Sequence, residues 1–163
     1  MQKKLKWKKT FFSNLYTIYD NGKQIGELTD SLFSQTSNGK LNGKKYAFQI
    51  KSFFKQNVEI IDSVENKVVG KISYDNFMSK AKISFDNKTI NSKYDDLWGA
   101  KWNLFNSEGV TVKYSSSSTG GEIDSNIDDD LLLLSGLFVS SHYWKYIIIL
   151  LVIVFFSLAV IFL

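Results

Sequence analysis

Cysteine, proline and arginine are missing from this chain. Without cysteine there is no disulfide and no thiolate metal site. Without arginine, all 20 basic side chains are lysines, a usage that fits an AT-rich bacterial genome. Lysine is a point charge without the planar fork that grips a phosphate or carboxylate at two points, so diffuse attraction to anions is expected here in place of specific recognition. There is a single histidine, His142, with no carboxylate or nucleophile at a recognisable spacing. Charge is absent from residues 146–163, where only Tyr146 and Ser157 are polar.

That uncharged run reads as a membrane anchor. As a helix it reaches about 27 Å, close to the roughly 30 Å of a hydrocarbon core. His142, Tyr143, Trp144, Lys145 and Tyr146 precede it. Tyr143, Trp144, Lys145 and Tyr146 are assigned to the membrane interface, where amphipathic rings and a cation belong. At the other end, Phe11 to Tyr19 is interrupted by Ser13, Asn14 and Thr17 and does not read as a secretory signal. The expectation is a single-pass protein of the cytoplasmic membrane with its N-terminal domain in the cytoplasm, and Lys145 on the inner side agrees with the positive-inside bias.

The body before the anchor is rich in Phe, Tyr, Ile, Val and Thr, which favour strands. Apolar residues alternate from residue 3 to residue 114, with turn signals at Asp20-Asn-Gly22, Asn38-Gly39, Asn42-Gly43, Glu65-Asn66, Asp86-Asn87 and Ser107-Glu-Gly109. Strands are expected at 16–19, 24–28, 45–50, 57–61, 67–72, 80–85, 101–105 and 110–114, eight to eleven in all, in an antiparallel meander that closes into a barrel to remove its edges. Ser115–Gly121 reads as a flexible loop. One internal echo stands out. Ile25-Gly-Glu-Leu-Thr-Asp-Ser-Leu-Phe33 matches Val69-Gly-Lys-Ile-Ser-Tyr-Asp-Asn-Phe77, which places Gly26 and Gly70 at bulges or close strand contacts.

Asp128-Asp-Asp130 then opens a short segment that is apolar on every side, through Val139. Acids suit a helix N-terminus. A helix apolar all round has to be buried, and this one is too short to cross a bilayer. The order of many strands, an acidic turn and a short hydrophobic helix resembles the tubby-like superfamily, which includes the tubby C-terminal domain, the LURP-one-related proteins and the phospholipid scramblases. The resemblance rests on the strands at Gly26 and Gly70 and on Asp128 to Val139. It implies a mainly β fold, a closed antiparallel barrel around a C-terminal hydrophobic helix, to which this chain adds one transmembrane helix. The expected division is a barrel domain over 1–142, with its central helix at about 128–140, and an anchor over 143–163. About five residues would join the two helices, reaching at most roughly 17 Å.

Candidate sites are few. No catalytic residue is assigned. Asp95-Asp96 reads as a turn cap. Asp124, Asn126, Asp128 and Asp130 offer oxygens at alternate positions, as a calcium loop does, but the sixth position is Asp129 where glycine is needed and the twelfth is Ser135 where glutamate is needed. No metal and no cofactor is assigned. Lys3, Lys4, Lys6, Lys8 and Lys9 surround Trp7, and this basic-aromatic cluster is the candidate lipid surface. Residues 1–119 carry 19 Lys against 11 acids, a balance of +8, worth about 1 kcal/mol per Lys that reaches an anionic surface. Nucleic acid is excluded as a partner because no recognition motif is present. The expected function is non-enzymatic: a tail-anchored barrel acting through membrane lipids or a protein partner. The alternatives are a scramblase-like lipid transporter and a membrane-associated hydrolase.

Overall fold

In the computed structural model, residues 2–10, 12–52 and 56–161 are described. Twelve antiparallel strands follow one another around a closed barrel, each pairing with its neighbours in sequence, and β1 pairs with β12 to seal it. They are β1 (Lys3–Lys9), β2 (Leu15–Asp20), β3 (Lys23–Thr29), β4 (Thr36–Leu41), β5 (Lys44–Ser52), β6 (Asn57–Asp62), β7 (Lys67–Tyr74), β8 (Lys80–Phe85), β9 (Lys88–Tyr94), β10 (Lys101–Phe105), β11 (Thr111–Ser117) and β12 (Gly120–Ser125). Alternate residues face inward, so Leu5 and Trp7 of β1, Ile18 of β2, Phe48 of β5 and Ile83 of β8 join one core, while the lysines between them face out. Closure leaves no exposed edge.

A barrel this wide needs a filling beyond its own side chains. The filling is a helix, α1 (Asp130–Ile161). Asp129 caps it, accepting the Leu132 N–H at 3.0 Å on its carboxylate. Leu131 to Val139 are all buried, and Phe138 stacks on Phe48 with ring centroids 4.5 Å apart. Each such side chain contributes about 1.5–3 kcal/mol by leaving water. The wall also grips the helix backbone. Trp102 Nε1 donates to the Gly136 carbonyl at 2.9 Å, and the Tyr114 hydroxyl donates to the Leu133 carbonyl at 3.1 Å. Gly136 is required there, because a Cβ would overlap the Tyr114 phenol.

Three features differ from the sequence reading. The expected plug and the expected anchor are one continuous helix of 32 residues, about 48 Å long, and no linker interrupts it. Its first half is barrel core, and from Ile148 its apolar surface is mostly bare. Ser115–Gly121 is not a loop: it forms the end of β11 and the start of β12, joined by a turn at 118–119. Trp7 belongs to the core, against Tyr16, and does not share the outer face with the lysines beside it.

The echo has a structural counterpart. The β2–β3 register shifts between Ile18 and Tyr19, opposite Ile25, and the β6–β7 register shifts between Ile60 and Ile61, opposite Val69. These are the equivalent positions of the two repeats. A side chain at Gly26 would strike the Lys40 carbonyl of β4, and one at Gly70 would press on the Ser84 carbonyl of β8.

Candidate functional site

Antiparallel connectivity sends the connections alternately to the two ends of the barrel. The helix enters at the end marked by the even-numbered strands' exits, here termed the base. There Asn42 Nδ2 donates to Asp130 Oδ1 at 2.7 Å, Lys44 pairs with Asp130 at 3.2 Å, and Lys3 pairs with Asp128. The helix leaves at the opposite end, the mouth, through the connections that follow the odd-numbered strands.

At the mouth a buried polar cluster holds the helix. Asp30 begins the β3–β4 connection, and its carboxylate accepts three donors. Ser37 Oγ lies 2.5 Å from Oδ1, Lys145 Nζ 3.0 Å from Oδ1, and Ser141 Oγ 2.6 Å from Oδ2. Lys145 also donates to the Ser34 carbonyl at 2.8 Å. The sequence reading gave Lys145 to the headgroups; its ammonium is instead buried against Asp30. His142, expected in the interfacial belt, is buried between Phe138 and Tyr74. Tyr143 and Trp144 lie at the rim: Tyr143 packs on Tyr94 at 4.8 Å, and half-exposed Trp144 lies beside Gly99. Tyr146 is half-buried. Burial pushes the Tyr74, Tyr94 and Tyr114 phenols above their ordinary range, so they stay neutral and act as donors or packing groups.

Several mouth connections carry large apolar side chains outward, although Met78 of the β7–β8 connection is buried. Phe12, Phe33, Phe77, Leu97 and Trp98 are each between 81% and 100% exposed. Their carboxylates turn the other way. Asp96 Oδ1 accepts the Trp98 N–H at 2.9 Å and the Ala100 N–H at 3.0 Å, and Asp75 accepts the Lys80 N–H and the Ser79 hydroxyl. Asp95 accepts both its bonds from Asn103. Asp96 therefore caps the turn, as the sequence suggested for the pair, while Asp95 instead holds Asn103 of β10. Beside the helix, a groove lined by Lys9, Phe12, Leu32, Trp144 and Ile148 runs out from Asp30.

Comparison with family models, with curated proteins and with solved structures finds no match for this chain. Its chemistry is therefore read from its own residues.

The remaining candidates separate. Lys4, Lys6 and Lys8 face solvent on the outer wall, along a strand that runs from the base to the mouth. Lys3 is tied to Asp128 at the base, and Lys9 lies 4.7 Å from the centre of the Tyr16 ring at the mouth. The five lysines thus spread from the base to the mouth along one strand and do not form one compact patch. The alternate oxygens do not converge either. Asp124 accepts from Gln2, Asn126 bridges Thr111 and Gly109, and Asp128 and Asp130 bind lysines. Among the described residues no three acidic or histidine side chains come together as a metal site. Lys55 and the last two residues of the expected anchor lie outside the described residues, as does Phe11. The sequence reading missed the exposed apolar tips and the role of Asp30. A signal for the first was available in the Phe that ends both copies of the echo, Phe33 and Phe77.

Proposed function

We propose that this chain is a non-enzymatic, membrane-anchored protein whose barrel is held at the cytoplasmic face of the membrane and acts there through lipid or protein contact. The observation that carries this reading is the two-part helix. Among the described residues, one helix is long and apolar enough to cross a membrane, and its bare half continues directly from a half that is barrel core. Anchor and domain are thus one rigid element. The barrel around a hydrophobic helix supports the tubby-like resemblance at the level of architecture.

The test is membrane extraction. The full chain is expected to stay with membranes through high-salt and alkaline carbonate washes. A chain ending after Tyr146, which keeps Lys145, is expected to leave the membrane as a folded protein. Solubility of the full chain in carbonate contradicts the anchor.

A scramblase-like transporter is the second reading, favoured by the groove beside the helix, where Lys145 and Asp30 lie under an apolar rim. It requires exchange of labelled phospholipid between leaflets of vesicles holding the full chain. A rate equal to that of empty vesicles dismisses it.

A further inference from the structure

The two ends of the barrel differ in a way that an anchor alone does not require. At the base, the connections between strands are short turns such as Asn21-Gly22, Asn42-Gly43 and Asp86-Asn87, and the large apolar side chains exposed there among the described residues are two valines, Val64 and the less exposed Val68. At the mouth, four separate connections each end in an exposed apolar side chain: Phe12, Phe33, Phe77, and Leu97 with Trp98. These are large side chains in water, and together they ring the point where α1 emerges. Scattered apolar residues on a surface need no explanation, but large aromatic and leucine tips gathered at one end, on four of its connections, mark a contact surface.

The geometry points to a bilayer interface as the occupant: we propose that these tips form a collar that dips into the membrane around the helix. The proposal rests on the anchored reading and extends it. Three observations choose lipid over a protein partner. First, the helix passes through the middle of the ring, so whatever surrounds the helix beyond the mouth also meets the tips. Second, there is no spacer. Lys145 is locked to Asp30 inside the mouth, and Ile148 is already exposed three residues later, about 4.5 Å along the axis. The mouth is therefore fixed close to the hydrocarbon boundary. Third, the charges are sorted as an anionic interface rewards. The carboxylates of Asp75 and Asp96 are turned back onto loop N–H groups and exposed Asp95 is engaged by the Asn103 amide, while Lys80 and Lys101 stand exposed at the strand ends behind the tips. Aromatic and leucine side chains ahead of lysines are the composition of an interfacial contact. This relocates the lipid surface from the lysines of β1 to the mouth loops.

The absence of cysteine permits single labels. Full-length variants Phe33→Cys, Phe77→Cys and Leu97→Cys at the mouth, Val64→Cys and Lys88→Cys at the base, and Val154→Cys on the bare helix are labelled with NBD. They are reconstituted in vesicles of phosphatidylcholine and phosphatidylglycerol. The mouth labels are expected to shift their emission to the blue and to be quenched by lipids with doxyl groups near the headgroup. The base labels should do neither, and the Val154 label should be quenched by deep doxyl groups. Mouth labels that behave like the base labels, with Val154 still quenched, overturn the collar and leave the anchor standing. A blue shift at the mouth without lipid quenching also overturns it, because the tips then meet protein. If Val154 is not quenched, anchor and collar fall together.

Discussion

Lys145 reaches from the helix's exit to Asp30, with Nζ 3.0 Å from Oδ1, and both side chains are buried. The pair fixes how far the helix extends beyond the barrel. An ion pair in such surroundings contributes little net stability against an apolar replacement, but losing one partner strands the other charge. Lys145→Met is expected to lower stability by about 3–5 kcal/mol, and the double variant Asp30→Asn with Lys145→Met to recover much of it. Thermal melting of the three proteins in detergent decides this. By the same reasoning, a chain ending after Tyr143 should melt well below one ending after Tyr146.

Gly136 sits where the Tyr114 phenol crosses the helix. Alanine is a better helix former than glycine by about 1 kcal/mol. The clash of its methyl group with a packed ring costs about 1–3 kcal/mol. The second effect should win, so Gly136→Ala is expected to destabilise. A rise in melting temperature would show that the Tyr114 ring can move aside.

Trp7 and its neighbouring lysines should respond differently. Trp7→Ala removes a buried side chain beside Tyr16 and is expected to cost about 3–5 kcal/mol. Lys4→Gln, Lys6→Gln and Lys8→Gln change an exposed wall and should shift stability by less than about 0.5 kcal/mol each. Chemical denaturation separates the two cases. Equal effects would contradict the inward placement of Trp7.

The loop 95–100 should loosen in acid. The N–H of Ala100, followed by that of Trp98, holds the Asp96 carboxyl below the usual aspartate range of about 3.9. A depressed value means that the ionised form steadies the loop, so the effect is complete above that range and is lost as pH falls through the folded value. An NMR titration of the Asp96 side-chain carboxyl, with the Trp98 amide followed alongside, is expected to show both moving together below the usual aspartate range. Asp96→Ala should abolish the Trp98 response.

Much of the barrel was legible because alternation survives where inward residues are large. Lys80–Phe85 and Lys101–Phe105 were read to the residue. Four strands were not recognised, and each hides its inward face. In β1 the lysines outnumber Leu5 and Trp7. In β4 the inward positions include Ser37, which bonds to Asp30, and Gly39, which is small where Leu134 of the helix comes near. In β9 Ser92 interrupts the alternation, and β12 begins with two glycines. The buried helix was legible from its uniform apolarity. Its continuity with the anchor was not, because His142-Tyr-Trp-Lys145 has the composition of an interfacial belt. The pairing of Lys145 with Asp30 spans 115 positions, and nothing local announces it.

The central claim, that one helix is barrel core in its first half and membrane anchor in its second, is tested most directly by spin-label accessibility in vesicles. A label at Val154→Cys is expected to collide readily with oxygen and poorly with a water-soluble nickel complex, as a lipid-facing site does, while a label at Lys67→Cys shows the reverse. High nickel accessibility at Val154, or low accessibility to both reagents, contradicts the account: the first places the bare helix in water, and the second packs it against protein.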